Sequence, residues 1–487
     1  MSSNSLVQKI WSFCDTLRDD GIEYGDYLEQ ITYLLFLKIA DEFSSSPYNR
    51  NFNIPEDCNW RFFLSHPIEG LEKNYIDALK KLAKSGGMLT NIFSGAQNKI
   101  HDPYKLQKLI LLINEDNWAS DSSDIKGDIY ESLLQKSAES SGAGQYFTPR
   151  PIIKAMAECI QPKPMETISD PTCGTGGFFL GALEYLNENY SKDIEKDAEK
   201  QEFLKYETFD GNEIVPSTVR LCLMNMFLHG IGDLQETPEI KLEDSLIEPK
   251  SKKVNIVLAN PPFGKSSSYS ITNDEKLAKQ DGYKLRADFW TTTSNKQLCF
   301  VQHIITMLEE NGRAAIVLPD NVLFEGGAGE IIRKELLERT NLHTILRLPT
   351  GIFYANGVKV NVLFLENGKK TKDIWFYDYR INVHHTLKKY PLQFEHLKDF
   401  VDCYHSKDRK NTKESWSSVN QKGRFRKYTL KEIISRDKTN FDISWLRDDS
   451  YVDLDSLPEP EILAQEIIDN LESALISFKE VVKSLEK

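Results

Sequence analysis

Three short segments hold residues whose types and spacing can do chemistry, and each follows an apolar run. The first is Ser169-Asp-Pro-Thr-Cys-Gly-Thr-Gly-Gly-Phe-Phe179. A glycine-rich turn of this kind brings backbone close to a ligand and opens a helix N-terminus toward it. The dinucleotide spacing GxGxxG is not met, because Gly174, Thr175, Gly176 and Gly177 lead into Phe178 and Phe179, so a nicotinamide cofactor is disfavoured. Asp170, at the end of its strand, would repel a pyrophosphate and suits a ligand with a cationic end, a sulfonium or an ammonium. By itself the turn is equally a tight strand-to-helix connection.

The second segment is Asp210-Gly-Asn-Glu213. A carboxylate at that place can accept from both hydroxyls of a ribose, or it can simply be the acid that opens a helix. It follows the glycine turn later than the usual interval of about 20 residues. The Lys- and Glu-rich run 187–207 accounts for the delay as a solvated helical insertion. The third segment is Ala259-Asn-Pro-Pro-Phe-Gly264. Two prolines fix the backbone and remove the N–H donors at 261 and 262, leaving carbonyls as acceptors. The amide oxygen of Asn260 and the carbonyl of Pro261 can take both hydrogens of a planar amino group, with Phe263 stacking on the base that bears it. The plain alternative is a rigid loop after a strand.

The elements that must position these residues are legible in the periodicity. From residue 5 to about 121 the spacing is helical, with Leu6, Ile10, Phe13, Cys14 and Leu17 on one face, a buried helix through 31–40, and Ile76, Leu79 and Leu82 on a further one. After Pro149 short apolar runs alternate with helices. Runs at 167–169, 208–209, 240–242, 254–258 and 314–318, then 343–348 and 358–365, predict a doubly wound, mainly parallel α/β sheet with helices on both faces, Rossmann-like. All three segments then fall at carboxyl ends of strands, where such sheets place ligands. The stretch 369–456 reads as polar and irregular. The expected domains are a helical one over 1–136, the catalytic sheet over 137–400, a polar, partly basic connection over 401–456, and a C-terminal helix over 457–487.

Composition bounds the function. In 487 residues, 40% are hydrophobic and 27% charged, which suits a globular chain of several cores. Sixty basic against 73 acidic residues leave a net charge of −13, so nucleic acid can be gripped only by a local patch or through another subunit. Seven cysteines, at 14, 58, 159, 173, 222, 299 and 403, form no CxxC pair, which argues against a zinc knuckle or disulfide framework and for the reducing cytoplasm. The most apolar run is half a membrane span, and no metal is expected. Phe263-Gly-Lys-Ser266 has the end of a P-loop but Ala259 where its first glycine belongs, so the chain carries no ATP motor.

Taken with Gln145-Tyr-Phe-Thr-Pro-Arg150, the turn DPTCGTGGF and the tetrapeptide NPPF resemble the amino-methylating DNA adenine methyltransferases that use S-adenosylmethionine. The runs TSNKQLCF (293–300), LPDNVLFEGG (318–327) and LRLPTGIFY (346–354) resemble, more narrowly, the modification (M) subunit of type I restriction-modification systems. The resemblance implies that Gln145, Tyr146, Phe147, Thr148, Pro149, Arg150, Thr175, Gly176, Gly177 and Glu213 bind the cofactor. Asp170 and Gly174 would lie beside it, and Asp244 near its adenine. Asn260 and Pro261, stiffened by Pro262, would hold the target amino group; Phe263 and Phe353 would hold the flipped base, although Tyr354 offers the same ring one residue later. The implied partners are DNA, a specificity (S) subunit, a second M subunit and a restriction (R) subunit. NPPF also occurs in RNA and protein amino-methyltransferases, and a non-catalytic assembly subunit could retain the fold.

Two further features concern partners. Between 405 and 433 nine basic residues (407, 409, 410, 413, 422, 424, 426, 427 and 431) face three acids (408, 414 and 432), with Trp416, Phe425 and Tyr428 interleaved, which is either a phosphate-contacting patch or a solvated loop. Ile467, Leu471, Ala474, Phe478, Val481 and Leu485 recur at intervals of 4, 3, 4, 3 and 4 residues, the seam of a coiled coil. Such a helix docks on helices of the specificity subunit or folds back on its own domain.

Overall fold

Val254–Ala259, almost wholly apolar, forms a strand buried on both faces, and the rest of the sheet is laid down around it. The computed structural model describes residues 10–13, 21–46, 53–115, 118, 130–134, 136, 147–233, 236–264, 268–353, 358–387, 389–404 and 408–447. In chain order the strands are β1 Ile168–Asp170, β2 Phe209–Glu213, β3 Glu239–Leu242, β4 Val254–Ala259, β5 Ser270–Thr272, β6 Tyr283–Leu285, β7 Leu308–Pro319, β8 Thr340–Leu348, β9 Val360–Asn367, β10 Asp373–Asp378 and β11 Phe425–Thr429. Nine of them form one sheet in the order β11-β10-β8-β9-β7-β4-β1-β2-β3, while β5 and β6 pair apart from it. From β3 through β2, β1 and β4 to β7 every pairing is parallel. The carboxyl ends of β1, β2 and β4 therefore meet along one side, bringing Asp170, Glu213 and Asn260 together there.

The seven expected strands are present, with ends displaced by a few residues, and the sheet is mixed. β9 runs antiparallel to both its neighbours, and β11 is antiparallel to β10. The insertion after the glycine turn is helical as read: Gly177–Ile194 continues into Ala198–Tyr206, where no residue is buried. The stretch 369–456 departs from the expectation. It contains β10, the helix Phe394–Tyr404, β11 and the helix Leu430–Ile434, so the sheet continues past residue 400. β11 reads as polar because it is an edge strand: Phe425 is buried, but Lys427 and Thr429, farther along the same face, are exposed.

That placement also reassigns much of the basic run. Arg424 donates to the carbonyls of Asp378 and Ile381, at 2.8 and 2.9 Å. Arg409 pairs with Glu366, and the Arg426 guanidinium lies 3.8 Å from the Trp416 ring centroid. Three of these cations thus brace the end of the sheet, a role neither sequence reading offered. The coiled-coil seam at 467–485 lies outside the described residues. No helix among them is long and apolar enough to cross a membrane.

The N-terminal region is helical: Tyr24–Ser44, Trp60–Ser65, Leu71–Leu82, Gly87–Phe93 and Pro103–Asn114. In the first, every residue from Tyr27 to Ala40 is buried. What covers it includes the helix Pro216–Leu228, whose Val219, Leu223, Met224 and Leu228 belong to the same apolar cluster as the N-terminal helices. Arg220, on that helix, pairs with Glu29, and its Nη1 donates to the Ser94 carbonyl at 3.1 Å. Both charged side chains are buried, so each depends on the other. Removing one partner of such a pair costs about 3–5 kcal/mol, whereas replacing both with apolar groups of similar size is close to neutral. Arg220→Met alone should therefore lower stability by about that amount in urea unfolding, and adding Glu29→Met should recover most of it.

Candidate functional site

β1 ends at Asp170, where Thr172 turns the chain back. The Thr172 N–H and hydroxyl both donate to Asp170 Oδ1, at 2.8 and 3.2 Å. The side chain is only 2% exposed. Burial pushes its carboxyl up to about 7, with Glu213 adding to the rise and the Thr172 hydrogen bonds opposing it. A desolvated carboxylate of this kind is a strong attractor for a cation brought beside it.

The turn that follows is fixed at both ends. Gly174 and Gly176 adopt positive φ, 53° and 83°. A Cβ on Gly211 of β2 would stand 2.9 Å from both Cys173 Cβ and the Phe179 ring, so glycine is needed where the turn packs on the strand. Asn225, buried on the helix Pro216–Leu228, donates from Nδ2 to the Thr175 carbonyl at 2.9 Å. Ser245 donates to the Pro171 carbonyl at 2.6 Å. Neither was found from sequence; the one available signal for Asn225 was an amide inside an apolar helical run.

Glu213 lies at the end of β2. Oε2 accepts from the Gly174 N–H at 3.2 Å, and Oε1 accepts from the N–H groups of Ile214 and Val215 at 2.8 and 2.9 Å. A carboxylate offers about four acceptor positions, so the open one is on Oε2. One ribose hydroxyl, rather than both, can be taken without displacing a backbone donor. Asp210 is not available for this, since Lys250 pairs with it. Ile214, the next residue, is 64% exposed, an apolar surface beside the acceptor that the sequence reading passed over. Asp244 is exposed and accepts from the Leu246 N–H at 3.0 Å and from the Tyr269 hydroxyl.

β4 delivers Asn260. Its Nδ2 donates to Thr148 Oγ1 at 2.9 Å, which fixes the plane of the amide. Its Oδ1 is buried and has no hydrogen-bond partner. An unpaired buried acceptor is unfavourable by about 1–3 kcal/mol, and an amino group presented at this point would relieve it. Pro261 is buried behind it. Phe263, partly exposed, meets Phe353 edge to face, with centroids 5.9 Å apart and planes at 61°. Phe353 is 2% exposed, so Phe263 offers the open ring and Phe353 supports it. A base lying between the two would have to part them.

The upstream segment divides. Thr148 belongs with Asn260, and Phe147 and Pro149 line a pocket described below. Arg150 lines the same pocket while pairing with Glu131 and Glu184, which braces the start of the helix Arg150–Ile160. Gln145, Tyr146 and Tyr354 lie outside the described residues. The runs 318–327 and 346–354 converge on Arg347, which is fully buried. Its Nε donates to Asn361 Oδ1 at 3.1 Å, Nη2 to Asp320 Oδ1 at 3.2 Å and Nη1 to the Ile443 carbonyl at 2.9 Å. Asp442 completes the set at 2.5 Å.

Residues 121–443 match the family N-6 DNA Methylase, and residues 6–113 match the HsdM N-terminal domain. The chain is 37% identical to the methylase subunit of the type I restriction enzyme StySJI of Salmonella typhimurium, over 100% of this chain and 96% of the relative. Identity and coverage are the same for the EcoKI methylase subunit of Escherichia coli K12. Among solved structures, the EcoKI M protein is 33% identical with a TM-score of 0.53, covering 99% of this chain and 96% of that one. A chain from a structure concerned with complex assembly and conformational transition of the type I R-M system is 25% identical with a TM-score of 0.71, covering 100% and 99%.

The raised pKa of Asp170 has a measurable sign. Between the ordinary carboxylate value of 3.8 and about 7, the folded chain keeps a proton there that the unfolded chain releases. This group's contribution to stability therefore falls as pH rises through that window and is level above it. Asp170→Asn removes the slope. Relative to the parent, the variant should gain up to about 4 kcal/mol of stability between pH 4 and pH 8, read from thermal unfolding. Identical profiles would mean that Asp170 titrates in the folded chain as it does in the unfolded one.

Proposed function

We propose that this chain, which belongs to the N-6 DNA methylase family and within it to the methylase subunits of type I restriction enzymes, holds S-adenosylmethionine along β1 and β2 and presents an adenine amino group of DNA to it at β4. The observation that carries the reading is the buried, unpartnered Oδ1 of Asn260 at the end of β4. The residues fit the cofactor: a desolvated carboxylate for its cationic end in Asp170, a free carboxylate position for a ribose hydroxyl on Glu213, and the exposed Ile214 for the face of its adenine. When bound, that cofactor supplies a methyl group made electrophilic by a sulfonium.

The chain's own work is orientation. Asn260 Oδ1 and the Pro261 carbonyl accept the two amino hydrogens, which aims the nitrogen lone pair at the incoming methyl group. Thr148 stops the amide from turning over. Asn260 is neutral and takes no proton, so the proton lost from nitrogen passes to water. Phe263 stacks on a base that leaves the duplex at a cost of a few kcal/mol. The reading uses no covalent enzyme intermediate and no metal.

DNA, a specificity subunit that reads the sequence, a second methylase subunit and a restriction subunit are the proposed partners, and the cytoplasm the proposed location. The net charge of −13 accords with a subunit that relies on a partner for most of its DNA affinity. The seam 467–485 is the proposed docking helix.

Asn260→Ala should lower methylation of DNA by about 10²- to 10³-fold while leaving S-adenosylmethionine affinity in calorimetry nearly unchanged. Glu213→Ala should do the reverse, weakening the cofactor first. Near-normal turnover of the first variant, or unaltered affinity of the second, would remove that residue from its role. Leu471→Asp with Phe478→Asp should spare cofactor binding and thermal stability yet abolish co-purification with the specificity subunit. A variant chain that unfolds would instead assign the helix to its own core.

A further inference from the structure

The loop Gly351-Ile-Phe353 is seated against a second loop, and the two enclose a pocket that the reading above does not use. Phe147, Pro149, Ile352, Leu387, Pro391 and Leu392 line it. Arg150 and Thr386 also belong to its wall, so it offers apolar surface for the face of a nucleobase with polar groups beside it.

Its position is set by chain continuity. Phe147 and Pro149 flank Thr148, which holds Asn260, and Ile352 precedes Phe353, which supports Phe263. Consecutive Cα atoms are about 3.8 Å apart. The pocket is therefore the next space along from the proposed target-base site, sharing its walls from the other side.

The second loop is built to be rigid. The His385 Nδ1–H donates to the Tyr390 carbonyl at 3.0 Å, and Nε2 accepts from the Tyr379 hydroxyl at 3.0 Å. Thr386 N–H donates to the same carbonyl at 3.1 Å, while Thr386 Oγ1 accepts from the N–H groups of Lys389 and Tyr390 at 3.1 and 3.0 Å. A Cβ on Gly351, whose φ is +82°, would stand 2.2 Å from the His385 carbonyl oxygen, so the two loops touch backbone to backbone. Between lining residues Leu387 and Pro391, the ring of Tyr390 is left 64% exposed, although its main chain is fully engaged. The neighbouring Lys389 is exposed and basic, whereas Arg380 is taken up by Asp378. An exposed aromatic ring with a basic neighbour, carried on a pre-ordered loop beside the pocket, matches a nucleotide with its phosphate.

We propose that this pocket and Tyr390 hold the nucleotide that adjoins the target adenine on the same DNA strand, keeping it stacked on protein while the adenine is extruded. The proposal rests on the methyl-transfer reading given above. Tyr390 acts here as a positioning residue, since it touches neither cofactor nor the reacting nitrogen.

The test uses the complex with the specificity subunit and a duplex carrying its site, identified by methylation mapping. Tyr390→Ala removes only an exposed ring and leaves the main-chain braces in place. It should lower kcat/KM for DNA about 10-fold or more, with S-adenosylmethionine affinity unchanged. An abasic residue next to the target adenine should slow the parent by a similar factor and slow the variant little further. Unchanged kcat/KM in the variant overturns the proposal, as does loss of cofactor affinity, which would assign the pocket to the cofactor. It is overturned too if an abasic residue opposite the target adenine, instead of beside it, erases the difference between parent and variant. A parent complex that methylates no DNA would refute the methyl-transfer reading itself, an outcome visible before any variant is made.

Discussion

An acceptor kept buried without a partner constrains everything around it. Asn260 Oδ1 can stay in that condition only because its amide cannot rotate: Thr148 holds Nδ2, and two prolines stiffen the chain that follows. β4 in turn lies inside the sheet, between β1 and β7, so its end cannot drift toward solvent. A polar group in this state is tolerated where the surrounding structure over-determines it. The parallel sheet supplies that stiffness and also sets Asp170 and Glu213 on the same side.

The stiffness is shared across two apolar cores. The helix Pro216–Leu228 begins beside the backbone donors that fix Glu213, steadies the glycine turn through Asn225, and gives its other face to the N-terminal helices through Arg220, Leu223 and Leu228. The helices before residue 115 are thus one wall of the element on which the cofactor-side residues rest. Gly181 closes the opposite side: a Cβ there would lie 2.2 Å from Ile153 Cγ2, so the helices Gly177–Ile194 and Arg150–Ile160 meet at that glycine.

Most of this arrangement was legible in the sequence, for reasons that differ from residue to residue. β4 declared itself because a strand covered on both faces is apolar throughout, and Asp170, Glu213 and Asn260 because polar residues followed such strands directly. β11 stayed hidden because an edge strand with a single buried residue carries the composition of a loop. The roles of Arg424 and Arg347 were equally invisible: a cation that donates to carbonyls of a distant strand looks, in sequence, like any surface charge. Glu213 was found, but the N–H groups of Ile214 and Val215 that use up one of its oxygens depend on how the chain turns into a helix, which residue types alone do not encode. Phe263 and Phe353 came together only through the resemblance, and their edge-to-face contact follows from packing.

Arg347 gives the end of β8 a mechanical property. Beyond β11 the chain is moored by the Arg447 carbonyl to Asn382 and by Trp445 to the Gly423 carbonyl, then more deeply by Ile443 and Asp442 to Arg347. Tension applied from the far side of Arg447 would load those moorings in that order and reach the last residues of β8. β8 leads through Pro349 and the turn at Gly351 to Phe353. A tether pulled there is a handle on the aromatic loop.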